Sequence, residues 1–253
     1  APYVAGRRLV VLLRHKAESV AVNGDRVEAV QVRSLETGRA VVLWAPYIAD
    51  ATELGDLLPL SGTEYVTGAE SRRETGEPHA PEEAAPANMQ AFTACFAMDY
   101  VAGENHVIDR PEEYGFWRDY VPDITPAWPG RLLAWEYSDA VTFQPRKLET
   151  DPERGSGLWS YRRIADKSLF APGTYPGDIS LINWPQNDYL LGNLFEVSPE
   201  EAARHLARAK QLSLSLLYWL QTEAPRPDGG AGWKGLRLRP DIVGTEDGLA
   251  KYP

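Results

Sequence analysis

Hydrophobic and polar residues alternate along the first fifty positions in the pattern of β-strands. Two alternating segments, Glu18–Val22 and Arg26–Val32, flank the sequence Asn23-Gly24-Asp25. An Asn-Gly pair between two such segments favours a hairpin, because both residues tolerate positive φ. The same pattern predicts three further strands: Leu9–Leu13, Ala40–Trp44 and Tyr47–Ala51. The first part of the chain is therefore predicted to be a β-meander.

A long helix is predicted near the other end of the chain. Ser198 suits the N-cap, Pro199 suits the first helical position, and Glu201 follows the cap by three residues. Pro225 stops the helix, which we expect to end near Glu223. The segment Leu212–Leu220 is apolar nearly all round, so this half should be buried.

The middle of the chain gives weaker patterns. Residues 57–90 carry many Gly, Pro and Glu residues and predict an extended or loosely helical surface segment. Strands are predicted at Gln90–Asp99 and Asp178–Asn183, and the sequence Trp184–Tyr189 has the composition of a turn. Seven Trp residues lie beyond residue 100, and we expect most of them to be core packing.

Composition and charge exclude several classes of protein. The 253 residues have a formal net charge of −10, which argues against a nucleic-acid surface. The single Cys95 excludes an intramolecular disulfide framework, and the four His have no metal-site spacing. No apolar run is long enough to span a membrane and no signal peptide is visible. We therefore expect a cytoplasmic protein with no metal, membrane or nucleic-acid partner.

The segment 47–56 is the most informative for chemistry. An apolar strand is predicted to end in a turn of small and polar residues that contains Asp50, Thr52, Gly55 and Asp56. At the carboxyl end of a parallel strand, such a turn lets the backbone approach a ligand closely. A tight structural turn is the alternative.

The order of a meander, a strand and the sequence Asp-Ala-Thr-Glu-Leu-Gly-Asp resembles an FAD-dependent oxidoreductase of the glutathione-reductase-like flavoprotein superfamily. The resemblance covers nearly the whole chain. It implies FAD as cofactor and a small organic substrate that is oxidised or reduced. The residues that match the FAD-proximal turn are Asp50, Ala51, Thr52, Gly55 and Asp56. Glu53 stands where many relatives have Gly, and Ala17 matches a position where such folds touch the adenine.

The resemblance also implies an α/β fold, with an α+β substrate part. Residues 1–60 would be the meander and FAD-proximal turn of a partial Rossmann-like domain that binds FAD or NAD(P). Residues 61–195 would be a mixed-sheet substrate domain with Trp-rich loops, and residues 196–253 would return towards the FAD-binding domain. The Gly-rich loop for the pyrophosphate is not in the chain. We expect missing segments or a second polypeptide to complete the FAD site, and we expect the isolated chain to be inactive.

Candidate substrate-binding residues combine aromatic surface with hydrogen-bonding groups. The first choices follow a predicted strand, and two more lie on the strand that would face the flavin in related folds. These candidates are Trp184, Asn187, Asp188 and Tyr189, followed by Gln90 and Thr93. Arg162 and Arg163 can bind an anionic substrate or form ordinary surface ion pairs. No catalytic residue is assigned.

Two other functions stay open. The Trp-rich middle and acidic surface also suit a noncatalytic module that binds carbohydrate or peptide. A purely structural subunit of a larger flavoprotein is the third alternative.

Overall fold

A computed structural model describes residues 2–139 and 141–253. The chain divides into two compact units, which are described separately: unit 1 is Ala1–Met89 and unit 2 is Gln90–Pro253. The functional division predicted at residues 60 and 195 stays a prediction. Both units combine helices with sheets, as an α/β class would, and every strand pair among the described residues is antiparallel.

Unit 1 contains the predicted meander. Its three strands form one sheet in the order β1-β2-β3. The strands are β1 (His15–Asn23), β2 (Arg26–Ser34) and β3 (Ala40–Trp44), and the helices are α1 (Pro2–Ala5), α2 (Leu57–Ser61) and α3 (Arg72–Thr75). Asn23 pairs with Arg26 across the tight turn, where Gly24 has φ 58°. The hairpin prediction is confirmed, and its cause is the freedom of glycine at positive φ.

Two strand predictions in unit 1 are wrong. Leu9–Leu13 and Tyr47–Ala51 have no regular structure, because neither segment pairs with another strand among the described residues. Pro46 lacks a backbone N–H, and the side chain of Asp50 folds the following residues into a turn. The predicted turn therefore does not follow a parallel strand.

Apolar side chains of unit 1 remain exposed to solvent. Leu9–Leu13 are between 41% and 76% exposed, and Tyr47 is 92% exposed. All five residues of β3 are exposed as well. A sheet face with this composition is normally covered in a folded protein.

Unit 2 is built around a four-stranded sheet in the order β10-β11-β5-β13, with three two-stranded pairs, β12-β4, β6-β7 and β8-β9. The strands are β4 (Phe92–Thr93), β5 (Phe96–Tyr100), β6 (Glu136–Ser138), β7 (Pro145–Lys147), β8 (Thr150–Asp151), β9 (Ser156–Gly157), β10 (Arg163–Ala165), β11 (Ile179–Ile182), β12 (Asp188–Tyr189) and β13 (Leu236–Leu238). The helices are α4 (Tyr114–Asp119), α5 (Leu158–Tyr161), α6 (Pro199–Thr222) and α7 (Pro240–Val243), with 3₁₀ turns at Lys167–Leu169 and Pro185–Asn187. The strand predicted at Asp178–Asn183 is confirmed as β11. The one predicted at Gln90–Asp99 is interrupted at residues 94–95 and forms β4 and β5.

Helix α6 confirms its prediction at both ends. The Ser198 hydroxyl accepts a hydrogen bond from the Glu201 amide at 3.1 Å, and the helix ends before Glu223. Ser213, Ser215 and the apolar residues around them are buried, as expected for its second half.

The core of unit 2 consists of α6, β5, β11 and aromatic side chains from the irregular segments. Six of the eight Trp residues are at most 5% exposed: Trp117, Trp135, Trp159, Trp184, Trp219 and Trp233. Their burial confirms the expectation that most Trp residues are core packing. It also supplies the apolar area that long irregular segments need in order to stay folded.

Candidate functional site

The turn at residues 50–57 is folded by its own polar side chains. Asp50 Oδ1 accepts hydrogen bonds from the Thr52 amide at 2.9 Å and from the Thr52 hydroxyl at 2.8 Å. Asp50 Oδ2 accepts from the Leu57 amide at 2.9 Å, and Thr52 Oγ1 accepts from the Asp56 amide at 2.7 Å. The bond from the Thr52 backbone is the main cause that lowers the pKa of Asp50. Asp50 and Thr52 therefore hold the shape of this turn.

Two backbone N–H groups of the same turn have no hydrogen-bond acceptor among the described residues. Among the described residues, the amides of Ala51 and Glu53 find no hydrogen-bond acceptor, and both residues are exposed. Gly55 has φ 67°, and a Cβ there would lie 2.9 Å from Leu58 Cδ1. The turn thus combines a glycine-dependent shape with free N–H groups, which is the chemistry that binds ligand oxygens.

A cavity of about 420 Å³ lies beside this turn within unit 1. Asp50 lines it from the turn, Tyr47 and Ile48 from the segment before the turn, and Val20 and Val27 from the meander. Ala17 lies near the start of β1, paired with Val32 and next to a β-bulge. The cavity is large enough for a ring system and too small for a whole dinucleotide.

The residues predicted to bind substrate lie in unit 2, and three of them are buried. Trp184 is 1% exposed, and Asn187 and Tyr189 are fully buried. The Asn187 side chain accepts from the Trp184 amide at 2.9 Å and donates to Ser213 Oγ at 3.3 Å. The Tyr189 hydroxyl is hydrogen-bonded to His205 Nδ1 at 2.8 Å. These contacts fix the turn before β12 against α6.

Asp188 and Thr93 come together because β12 pairs with β4. The Thr93 hydroxyl donates to Asp188 Oδ1 at 2.5 Å. Burial raises the pKa of the Asp188 carboxyl, and the bond from Thr93 and the charge of Arg162 offset part of this effect. Gln90 is exposed and precedes β4. A half-buried carboxyl with a raised pKa is a group that can hold or accept a proton.

Asp188 lines a second cavity, of about 580 Å³. Its wall contains aromatic, aliphatic and cationic side chains together with one amide: Tyr137, Arg146, Leu148, Leu158, Tyr161, Arg162, Asn183, Trp184 and Pro185. A cavity of this size and lining suits a small molecule. We call it the Asp188 cavity.

Sequence reasoning missed several residues of this wall. Tyr137, Arg146 and Tyr161 lie on the short elements β6, β7 and α5, in a part of the sequence where no periodicity marks them. Asn183 directly precedes the predicted turn, so its position next to Trp184 was a usable signal. The two arginines left open by the sequence differ in the structure: Arg163 pairs with Asp166 and Asp178, whereas Arg162 lines the cavity.

Cys95 lies next to the same group of side chains. Its thiol donates to the Thr93 carbonyl at 3.6 Å. Burial raises the pKa of the Cys95 thiol, and the negative charge of Asp188 adds to this effect. The thiol therefore stays protonated at neutral pH and is a poor nucleophile.

The described residues contain neither a cluster of metal ligands nor a membrane-spanning helix. Residues 2–139 and 141–253 contain no group of three or more His, Cys, Asp or Glu side chains that could hold a metal ion. None of the helices in these residues combines the length and apolar character that spanning a bilayer requires.

The comparison with protein families decides the assignment. The model of the FAD dependent oxidoreductase family matches residues 2–253. The chain belongs to this family. FAD is therefore its cofactor, and the resemblance to an FAD-dependent oxidoreductase is confirmed. No curated protein and no solved structure matches the chain significantly.

In this FAD dependent oxidoreductase, the turn at residues 50–57 and the cavity beside it suit a part of FAD rather than the whole molecule. If FAD is bound here, the free amides of Ala51 and Glu53 would be the donors for flavin or phosphate oxygens, and the cavity beside them has room for a ring. The carboxylate of Asp50 is already occupied by Thr52 and Leu57, so it would shape the turn rather than contact the cofactor. Among the described residues, no Gly-rich loop joins a strand to a helix in the manner of a pyrophosphate site.

Proposed function

We propose that the chain takes part in flavin-mediated oxidation or reduction of a small organic substrate. The observation that carries this proposal is the match of the FAD dependent oxidoreductase family over residues 2–253. In this proposal the turn at residues 50–56 and Ala17 contact FAD, and the Asp188 cavity receives the substrate.

FAD supplies the two-electron chemistry when it is bound. The residues of the chain supply positioning and proton handling. Asp188 can accept a proton from a substrate hydroxyl or amine, since its raised pKa brings it closer to neutral pH. The Thr93 hydroxyl holds the carboxyl in one orientation, and the buried Trp184 and Asn187 fix the turn that carries it.

We further infer that unit 1 is part of a Rossmann-like domain of the glutathione-reductase-like type. The antiparallel meander followed by the small-residue turn supports this inference. The exposed apolar residues of Leu9–Leu13 and β3 support a second one: additional polypeptide, from the same chain or a partner, covers them and supplies the pyrophosphate site.

Flavin retention tests the proposed function. The intact protein that contains this sequence should be yellow after purification and should release FAD on denaturation. The 253-residue chain alone should bind FAD weakly. An intact protein that carries no flavin and takes up none when FAD is added would refute the proposal.

A paired substitution tests the role of the turn. Asp50→Ala in the intact protein should weaken FAD retention, because the turn that presents the Ala51 and Glu53 amides loses the carboxylate that bonds Thr52 and Leu57. Asp109→Ala removes the same charge from an exposed position in unit 2 and should leave FAD content unchanged. Equal FAD content in both variants would show that residues 50–56 do not contact the cofactor.

A noncatalytic Trp-rich binding module finds little support. Such a module presents aromatic rings to its ligand, and six of the eight Trp residues are buried. We therefore keep the oxidoreductase proposal alone.

A further inference from the structure

The wall of the Asp188 cavity holds a guanidinium group with no carboxylate in ion-pair contact, although its charge acts on Asp188 from a greater distance. Arg162 forms no ion pair within 4.0 Å anywhere in the described part of the chain, and it lies over the Tyr161 ring at 5.1 Å. Its neighbours differ, since Arg163 is paired with two carboxylates and Arg146 pairs with Asp139 at 3.2 Å. Arg162 is therefore the arginine of this cavity whose guanidinium is left for an anion.

Asp188 adds a hydrogen-bonding group to the same cavity. One carboxyl oxygen accepts from Thr93, and no described group donates to the other oxygen. Asn183 also lines the cavity and brings a side-chain amide that interacts with the Cys95 thiol. These groups can bind a hydroxyl of a ligand, with the carboxyl as acceptor.

The rest of the wall is apolar and aromatic. Leu148, Leu158 and Pro185 line the cavity together with Tyr137 and Trp184. The indole nitrogen of Trp184 is buried without a hydrogen-bond partner among the described residues, so Trp184 contributes apolar surface to this wall. A volume of about 580 Å³ accommodates a molecule with one ring or a short branched chain.

We propose that the Asp188 cavity binds a small hydroxy acid, with its carboxylate on Arg162, its hydroxyl on Asp188 and its apolar body against the aromatic wall. A guanidinium and a carboxylate form charge-assisted hydrogen bonds, which are about twice as strong as neutral ones. This inference deepens the proposed function, since it names the substrate class of the same cavity.

Three matched probes separate the two polar contacts. 3-Phenyllactate carries both groups, 3-phenylpropanoate lacks the hydroxyl, and 3-phenylpropane-1,2-diol lacks the carboxylate. Binding to the full chain is measured by calorimetry and by quenching of Trp fluorescence. We expect phenyllactate to bind most tightly, with the affinity falling by roughly tenfold or more when the carboxylate is removed.

Variants assign each contact to its residue. Arg162→Gln should weaken phenyllactate binding by roughly tenfold or more and abolish the preference over the diol. Asp188→Asn should reduce the preference over phenylpropanoate. Arg131→Gln is the matched control, because Arg131 is exposed, pairs with Asp119 and lies outside this cavity. Circular dichroism and thermal denaturation establish that each variant is folded.

The results have distinct meanings for the two proposals. Absence of phenyllactate binding, or binding that Arg162→Gln leaves unchanged, would overturn the hydroxy-acid inference even if the intact protein retains FAD. Binding with the expected variant pattern in a protein that never takes up FAD would instead overturn the proposed function. FAD content is therefore measured on the intact protein alongside the binding experiments.

Discussion

The buried carboxylate of Asp99 offers the sharpest test of what stabilises unit 2. Asp99 is fully buried on β5. Arg237 donates to it from Nε at 3.0 Å and from a terminal nitrogen at 2.7 Å, and Arg239 donates at 2.7 Å. Asp99→Asn keeps the side-chain volume and removes the charge, so both guanidinium groups lose their shared partner.

The exposure of the partners sets the size of the effect. Removing one member of a buried ion pair costs about 3–5 kcal/mol, because the other member is left buried without compensation. The side chain of Arg237 is 33% exposed and can be hydrated, and Arg239 keeps two bonds to Asp241. We therefore expect the lower end of the range, about 3 kcal/mol.

Urea unfolding followed by Trp fluorescence measures this free energy. Seven of the eight Trp residues lie in unit 2, so the signal reports on that unit. With a slope of about 2 kcal/mol per molar urea, the expected loss lowers the midpoint by roughly 1.5 M. Asp241→Asn, at a carboxylate that is 60% exposed, is the control and should cost under about 1 kcal/mol. Equal midpoints for the two variants would refute the reasoning.

The remaining predictions concern a carboxyl, a helix cap and a turn. Folding favours the neutral form of Asp188, whose pKa is raised, so this stability is present at low pH and is lost as the pH rises through the folded-state pKa. Asp188→Asn should therefore raise the melting temperature at neutral pH and change it little below about pH 4. A difference in melting temperature between the variant and the original protein that shrinks with rising pH would contradict this. Ser198→Ala should lower the free energy of unfolding by about 1 kcal/mol, with Ser198→Asp retaining most of it in the same urea titration. Asp50→Ala should speed amide hydrogen exchange at Thr52 and Leu57, whereas unchanged exchange would mean that the carboxylate does not hold the turn.

The local elements of the fold were predictable because their signals are local. The two-residue turn after Asn23 and the N-cap at Ser198 depend on neighbouring residues only, and both were predicted correctly. Leu9–Leu13 and Tyr47–Ala51 were predicted wrongly, because a strand also needs a pairing partner and an apolar run does not reveal one. In the segment around Asp50, the polar residues indicated the turn that the structure has, whereas the apolar residues indicated a strand that it lacks.

The candidate site was predictable only in part, for a similar reason. Asp188 and Thr93 were both chosen from the sequence, but their hydrogen bond depends on the pairing of β12 with β4, nearly a hundred positions apart. Tyr137 and Arg146 reach the Asp188 cavity from segments without periodicity. The sequence also could not separate Arg162 from Arg163, since Asp166 is near both of them in the sequence and Asp178 meets Arg163 only where β10 pairs with β11.

The position of β5 between β11 and β13 has a consequence for how the protein is made. Asp99 and Arg237 are 138 positions apart, so β5 leaves the ribosome long before β13 exists. During that interval one edge of β5 has no partner, and unpaired strand edges readily join the strands of other chains. The pairing of Leu236–Leu238 with β5 is therefore one of the last steps in the folding of unit 2. The arginines on either side of Leu238 neutralise Asp99 in the same step.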